Sequence, residues 1–195
     1  MASNILTIPN LHTFLRMILI PVLAILLVYG EFGWALFVFV IAGASDGVDG
    51  FVARRFNQQS ELGTILDPIA DKLLMTTIFI ILTLPKIFPN PLPRHLPVPF
   101  WVTAAVIGRD ILIIAAAAAI FVMTSFRGFK PSWLGKASTV VQIFAVGLIL
   151  VAAIFPSLRG FYLPTVYTTT FAFALFSGVH YIFHIARLMK EEEKS

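Results

Sequence analysis

Four aspartates hold the most chemistry in this chain. Asp46 and Asp49 stand three residues apart and Asp67 and Asp71 four apart, spacings that put each pair on one face of a helix. Each pair can therefore point into one cavity. Carboxylates brought together in this way repel one another unless a cation holds them. Oxygen donors with no His or Cys among them suit a hard ion such as Mg²⁺, Mn²⁺ or Ca²⁺. Two ions are reasonable for four carboxylates, and a two-metal clamp stabilises both the attacking and the leaving oxygen of an in-line displacement at phosphorus. The plainer alternative is that each Asp caps a helix end at a water interface. That account suits a single Asp better than four at face-matching spacing with Arg54 between the pairs.

The elements that must position these residues are apolar. Of 195 residues 58% are hydrophobic, and the mean hydropathy is +0.91. A soluble domain of this size cannot hide so much apolar surface, so the expected class is an all-α integral membrane protein. Six stretches have the roughly 20 mostly apolar residues that a span needs: 11–29, 33–51, 64–84, 99–123, 133–155 and 163–185. Met1–Asn10 is too polar to span and reads as a short interfacial segment, with Pro9 and Asn10 introducing the first helix. The Asp pairs then lie near the end of the second span and the start of the third, where a bare carboxylate costs about 2.5–3.5 kcal/mol and normally marks function.

Basic residues give the orientation, because short cytoplasmic loops retain Lys and Arg. Arg54, Arg55, Arg127, Lys130, Lys136, Arg187, Lys190 and Lys194 fall on one side and Lys86, Arg94 and Arg159 on the other. Both termini and the aspartate cluster are expected on the cytoplasmic side. The net charge of +4 suits anionic lipid headgroups, and no basic tract interleaved with aromatics points to nucleic acid. Cysteine is absent, which removes thiolate metal sites and a cysteine nucleophile.

Asp46, Asp49, Gly50, Ala53, Arg54, Gly63, Asp67 and Asp71 fit the pattern D-x2-D-G-x2-A-R-x8-G-x3-D-x3-D without a departure. That pattern resembles the CDP-alcohol phosphotransferases, and the six-span layout extends the resemblance over 1–195 as one membrane domain. The resemblance implies a di-metal site of Mg²⁺ or Mn²⁺ held by Asp46, Asp49, Asp67 and Asp71, with Asp71 also the general base. It implies that Asp49, Gly50, Ala53, Arg54 and Gly63 lie around the cytidine nucleotide, and that the chain forms a homodimer. The expected reaction is transfer of a phosphatidyl group from CDP-diacylglycerol to an alcohol with release of CMP. Small residues packing helices in a membrane are the alternative for Gly50, Ala53 and Gly63. A cation transporter or channel is the alternative of another class, since acidic residues in spans also serve ions.

Other polar residues bear on the acceptor. Arg109 in the fourth span, Lys136 at the start of the fifth and Asn10 are candidates for an acceptor or lipid phosphate. An ion pair with Asp110 or with one of the motif aspartates is the alternative for Arg109, and positive-inside placement the alternative for Lys136. Asn10 and Arg16 also suit capping and interfacial anchoring. His180 and His184, four apart, read as interfacial side chains rather than ligands. The opening Ile8–Arg16 and Gly135–Lys136 look like the branch that makes phosphatidylglycerophosphate or cardiolipin. Phosphatidylglycerophosphate synthases usually carry a second Arg about two turns after the first, where this chain has Ala117. Gly108–Ile113 is similar to cardiolipin synthases, so phosphatidylglycerol is slightly favoured as acceptor over glycerol 3-phosphate.

Overall fold

A computed structural model of the chain describes residues 8–43, 61–88, 96–123, 133–155, 157 and 159–192. Among them all regular structure is helical, with six α-helices and no strand. The helices are α1 Ile8–Val28, α2 Phe32–Gly43, α3 Glu61–Thr83, α4 Phe100–Met123, α5 Trp133–Ile154 and α6 Arg159–Glu192. A 3-10 turn, Pro85–Ile87, follows α3.

Each helix falls on one of the six expected stretches, with differences at the ends. Ile8–Asn10 forms the first turn of α1, where a proline is tolerated, and Met1–Thr7 of the expected interfacial segment lies outside the described residues. The last helix runs well past residue 185, to Glu192. Hydropathy falls off there, but Arg, Leu, Met, Lys and Glu are all good helix formers. Two described helices have both the length and the apolar content to cross a bilayer, Trp133–Ile154 and Tyr162–Phe183; Leu15–Val28 and Phe32–Gly43 are shorter apolar stretches.

The break between α1 and α2 is set by Gly30. Its φ of 78° is in the left-handed region, where a Cβ would crowd the backbone. The Gly30 N–H donates to the Leu27 carbonyl at 3.0 Å and the Glu31 N–H to the Leu26 carbonyl at 2.9 Å, the paired closure of a Schellman cap. Glu31 then accepts the first helical bond of α2, from the Ala35 N–H at 2.9 Å. At the end of α3, Pro85 cannot extend the helix, and the Leu84 N–H is shared between the carbonyls of Ile80 and Ile81.

The chain gathers into two compact units, Met1–Pro97 with Ile149–Arg159, and Val98–Leu148 with Gly160–Ser195. In the first, α1 packs on α3. Arg16, Leu23 and Leu27 are buried along one face of α1 while Ile18, Val22 and Ile25 are exposed. On α3 the buried side chains are Ala70, Leu74, Met75, Ile78, Phe79, Ile81 and Leu82. In the second unit the buried stripe of α6 is Leu163, Tyr167, Thr170, Ala174, Ser177 and Tyr181, spaced alternately four and three residues as in a helical bundle seam. The buried face of α4 carries Val102, Thr103, Val106, Arg109 and Asp110, and Trp101 sets its ring edge to face against Phe171 of α6 at 5.0 Å.

Gly30→Ala is expected to destabilise the protein by about 1 kcal/mol. A lowered midpoint in thermal unfolding of the purified protein checks it, and an unchanged midpoint would show that the turn relaxes out of the left-handed region.

Candidate active site

The first unit brings a cation to one of the four aspartates. Asp71 lies on α3 four residues before Met75 and seven before Ile78, so the face that packs inward continues to Asp71, and Asp67 lies one turn earlier on the same helix. Arg16 lies on α1 seven residues before Leu23, on the buried face of that helix. Packing the two faces together sets Arg16 Nη1 to donate to Asp71 Oδ1 at 2.6 Å. The arginine side chain is 5% exposed and that of Asp71 46%. The guanidinium thus sits inside the unit while the carboxylate reaches its surface.

The second unit holds its own buried pair. Arg109 Nη1 donates to Asp110 Oδ1 at 2.6 Å, and both side chains are buried. Arg109 Nε donates to Ser177 Oγ at 3.2 Å and Nη2 to the same oxygen at 3.1 Å. Nη2 also donates to the Gly135 carbonyl at 3.1 Å. One guanidinium thereby joins α4 to the first turn of α5 and to the middle of α6. Gly178 lies so close that a Cβ there would stand 3.7 Å from Arg109 Cγ.

The aspartates and their neighbours are placed as follows. Asp67 and Gly63 are on α3, and Asp71 is there with Arg16 against it. Asp46, Asp49, Gly50, Ala53 and Arg54 lie outside the described residues, and among the described ones no three acidic or His side chains cluster. Asn10 is in the first turn of α1. Lys136 is exposed at the start of α5, and His180 is exposed on α6. Arg109 forms the ion pair with Asp110 that stood as the alternative to a phosphate contact.

Two participants escaped the sequence reading. Arg16, read as a headgroup or interfacial residue, is buried and paired with Asp71. Its signal is its register, since the apolar stripe of Leu23 and Leu27 runs back through position 16. Ser177 had no signal of its own, being a small hydroxyl in an apolar helix.

Residues 6–181 match the CDP-alcohol phosphatidyltransferase family. This chain belongs to that family. A cardiolipin synthase (CMP-forming) of Rattus norvegicus is 34% identical over 201 residues, 95% of this chain and 63% of the relative. One of Streptomyces coelicolor is 30% identical over 205 residues, 97% of this chain and 87% of the relative. A CDP-diacylglycerol–glycerol-3-phosphate 3-phosphatidyltransferase of Salmonella choleraesuis is 35% identical over 150 residues, 73% of this chain and 76% of the relative. The chain spans less than two thirds of the length of the mammalian relatives it matches.

Removing one partner of a buried ion pair leaves an uncompensated charge. Asp110→Ala is therefore expected to cost about 3–5 kcal/mol, and the double variant Arg109→Met, Asp110→Leu less than that. Thermal unfolding of the purified variants measures both, and a double variant that loses as much as Asp110→Ala or more would show that the pair is not coupled in this way.

Proposed function

We propose that this chain is a multi-spanning membrane enzyme that transfers the phosphatidyl group of CDP-diacylglycerol to phosphatidylglycerol, forming cardiolipin and CMP. The observation that carries the reading is the eight-position aspartate motif within a chain that matches the family over residues 6–181.

Six spans are supported by where the large apolar side chains go. Ile18, Trp34, Phe37, Ile80, Phe100, Ile111, Phe144, Phe176 and Phe183 are exposed, whereas Arg16, Arg109, Asp110, Gln142, Ser138 and Ser177 are buried. Exposed apolar surface on every helix, with polar groups turned inward, fits lipid better than water. At 34 residues, α6 is about 51 Å long, against roughly 30 Å for the hydrocarbon core. Its basic end at Arg187 and Lys190 then stands beyond the bilayer on the cytoplasmic side, with the amino terminus and the active site on that same side. A homodimer goes with this reading.

The donor set fits hard divalent ions: Asp67 and Asp71 lie one turn apart on α3, and the Asp71 carboxylate is half exposed beside its buried arginine. Asp46 and Asp49 complete the set. Mg²⁺ or Mn²⁺ bound there would neutralise the diphosphate and the charge that develops on the leaving group. Asp71 takes the proton of the acceptor hydroxyl. The hydroxyl oxygen bonds to the phosphorus carrying diacylglycerol, and the bond from that phosphorus to the oxygen of CMP breaks, so that CMP leaves with the electron pair. Asp49, Gly50, Ala53, Arg54 and Gly63 hold the nucleotide.

Arg109 favours phosphatidylglycerol as acceptor. A free phosphate monoester needs a cation with donors to spare, and the Arg109 fork is spent on Asp110, Ser177 and Gly135, while Ala117 adds no charge. The likeness to the Salmonella protein supports the second reading, with glycerol 3-phosphate as acceptor.

CMP release from CDP-diacylglycerol, with each acceptor offered separately, distinguishes the two readings. Phosphatidylglycerol alone should support turnover, and Asp71→Asn should lower it at least about 10³-fold, the scale on which a general base and its surroundings act. Turnover with glycerol 3-phosphate alone would reverse the acceptor assignment. No CMP with either, or full activity in Asp71→Asn, would sink the phosphatidyl-transfer reading. Chelation of divalent ions should abolish turnover, and added Mg²⁺ or Mn²⁺ should restore it; activity that persists in excess chelator would rule the metal site out.

A further inference from the structure

We propose that Arg16 is a positioning residue for Asp71, gripping one carboxylate oxygen from inside the protein so that the carboxylate is aimed at the acceptor hydroxyl. The inference rests on the phosphatidyl-transfer reading and adds a residue outside the aspartate motif to the same site.

The geometry is asymmetric. Arg16 Nη1 meets Asp71 Oδ1 at 2.6 Å, with the arginine 5% exposed and the aspartate 46%. A short, charge-assisted hydrogen bond of this kind restrains rotation of the acceptor group. An arginine enclosed by packing has few rotamers of its own to exchange, so the restraint passes from the α1–α3 packing to the carboxylate. Arg16 also brings positive charge beside the carboxylate of Asp71, which favours its ionised form. Arginine suits the task better than lysine, since its guanidinium is planar, stays charged when enclosed and has fixed donor directions. The 55 residues between the partners mean that the contact exists only when α1 and α3 are docked. Supporting groups of this kind, one step behind the residues that react, typically carry about 10- to 100-fold of activity.

The test measures kcat and KM for CDP-diacylglycerol by CMP release, using the full-length chain in detergent with saturating Mg²⁺ and phosphatidylglycerol. Rates are scaled to folded protein from gel filtration and thermal unfolding. Arg16→Gln should lower kcat by about 10- to 100-fold while KM stays within about threefold. Arg16→Lys should lie between Arg16→Gln and wild type, because it keeps the charge and loses the fork. A purely structural arginine would change the amount of folded protein and not the rate per folded molecule. The inference is overturned if Arg16→Gln keeps kcat within about threefold of wild type, or if KM rises while kcat holds, which would make Arg16 a donor-lipid contact. If Arg16→Gln does not fold, Arg16→Lys decides alone: a kcat loss of about fivefold or more at unchanged KM supports positioning, and a wild-type kcat overturns it. An active wild-type chain with unaffected Arg16 variants defeats this inference only, whereas a wild-type chain that releases no CMP defeats the phosphatidyl-transfer reading and this inference with it.

Discussion

A guanidinium withdrawn from water must find its counter-charge inside the protein, and both described units are organised around that requirement. Desolvating an ion costs several kcal/mol even after the surroundings relax, so an arginine on the inward face of a helix is tolerated only where a carboxylate and further acceptors meet it. Arg16 meets its carboxylate across two helices. Arg109 meets its own on the adjacent residue. The difference has consequences. The partner of Arg109 is on its own helix, and the remaining donors fasten α5 and α6 through Gly135 and Ser177. A distant partner makes Arg16 depend on the docking of α1 against α3, and makes the orientation of Asp71 depend on it as well.

The same requirement explains the composition of the buried stripes. On α6 the inward positions include Thr170, Ala174 and Ser177, small residues that let helices approach closely and offer hydroxyls where a bundle needs them. The Thr170 hydroxyl donates to the Val166 carbonyl at 2.7 Å, and Tyr162 to that of Leu148 at 2.9 Å, so polar groups among apolar side chains are satisfied by nearby backbone. Large apolar side chains stand on the outward face as well, in Phe176, Val179, Ile182 and Phe183, opposite the buried Leu163, Tyr167 and Tyr181.

What the sequence made legible was local. Helices showed in hydropathy, a property of neighbouring residues, and the break between the first two showed as the gap between the apolar stretches 11–29 and 33–51. The four- and three-residue spacings of the aspartates likewise needed nothing beyond helix geometry. Helix α6 runs past its apolar stretch because hydropathy measures solvent preference, whereas a helix continues through polar residues of good propensity such as Lys190 and Glu191. The pairing of Arg16 was not legible for a different reason. Its role depends on a residue 55 positions away, and no window along the chain carries that information except the faint sign that a charged residue occupied a position in an apolar stripe.

The buried arginine of α4 limits which acceptors the proposed enzyme can take. Arginine recognises phosphate through paired donors directed at two oxygens, and four N–H donors of Arg109 already point at protein oxygens. Freeing them for a ligand would cost the Arg109 bonds to Ser177 and to the Gly135 carbonyl, which also accepts from the Thr139 hydroxyl at 3.2 Å. Lys136, the next residue after that carbonyl, is exposed, and a lysine there is a hydrated point charge suited to a phosphate at a membrane surface rather than to an enclosed monoester. A lipid acceptor brings its phosphate as a singly charged diester anchored by its own acyl chains, and so asks less of such a site than a small dianion held by electrostatics alone. The proposal of phosphatidylglycerol as acceptor therefore rests on where the donors of Arg109 are already committed, more than on any single matched residue.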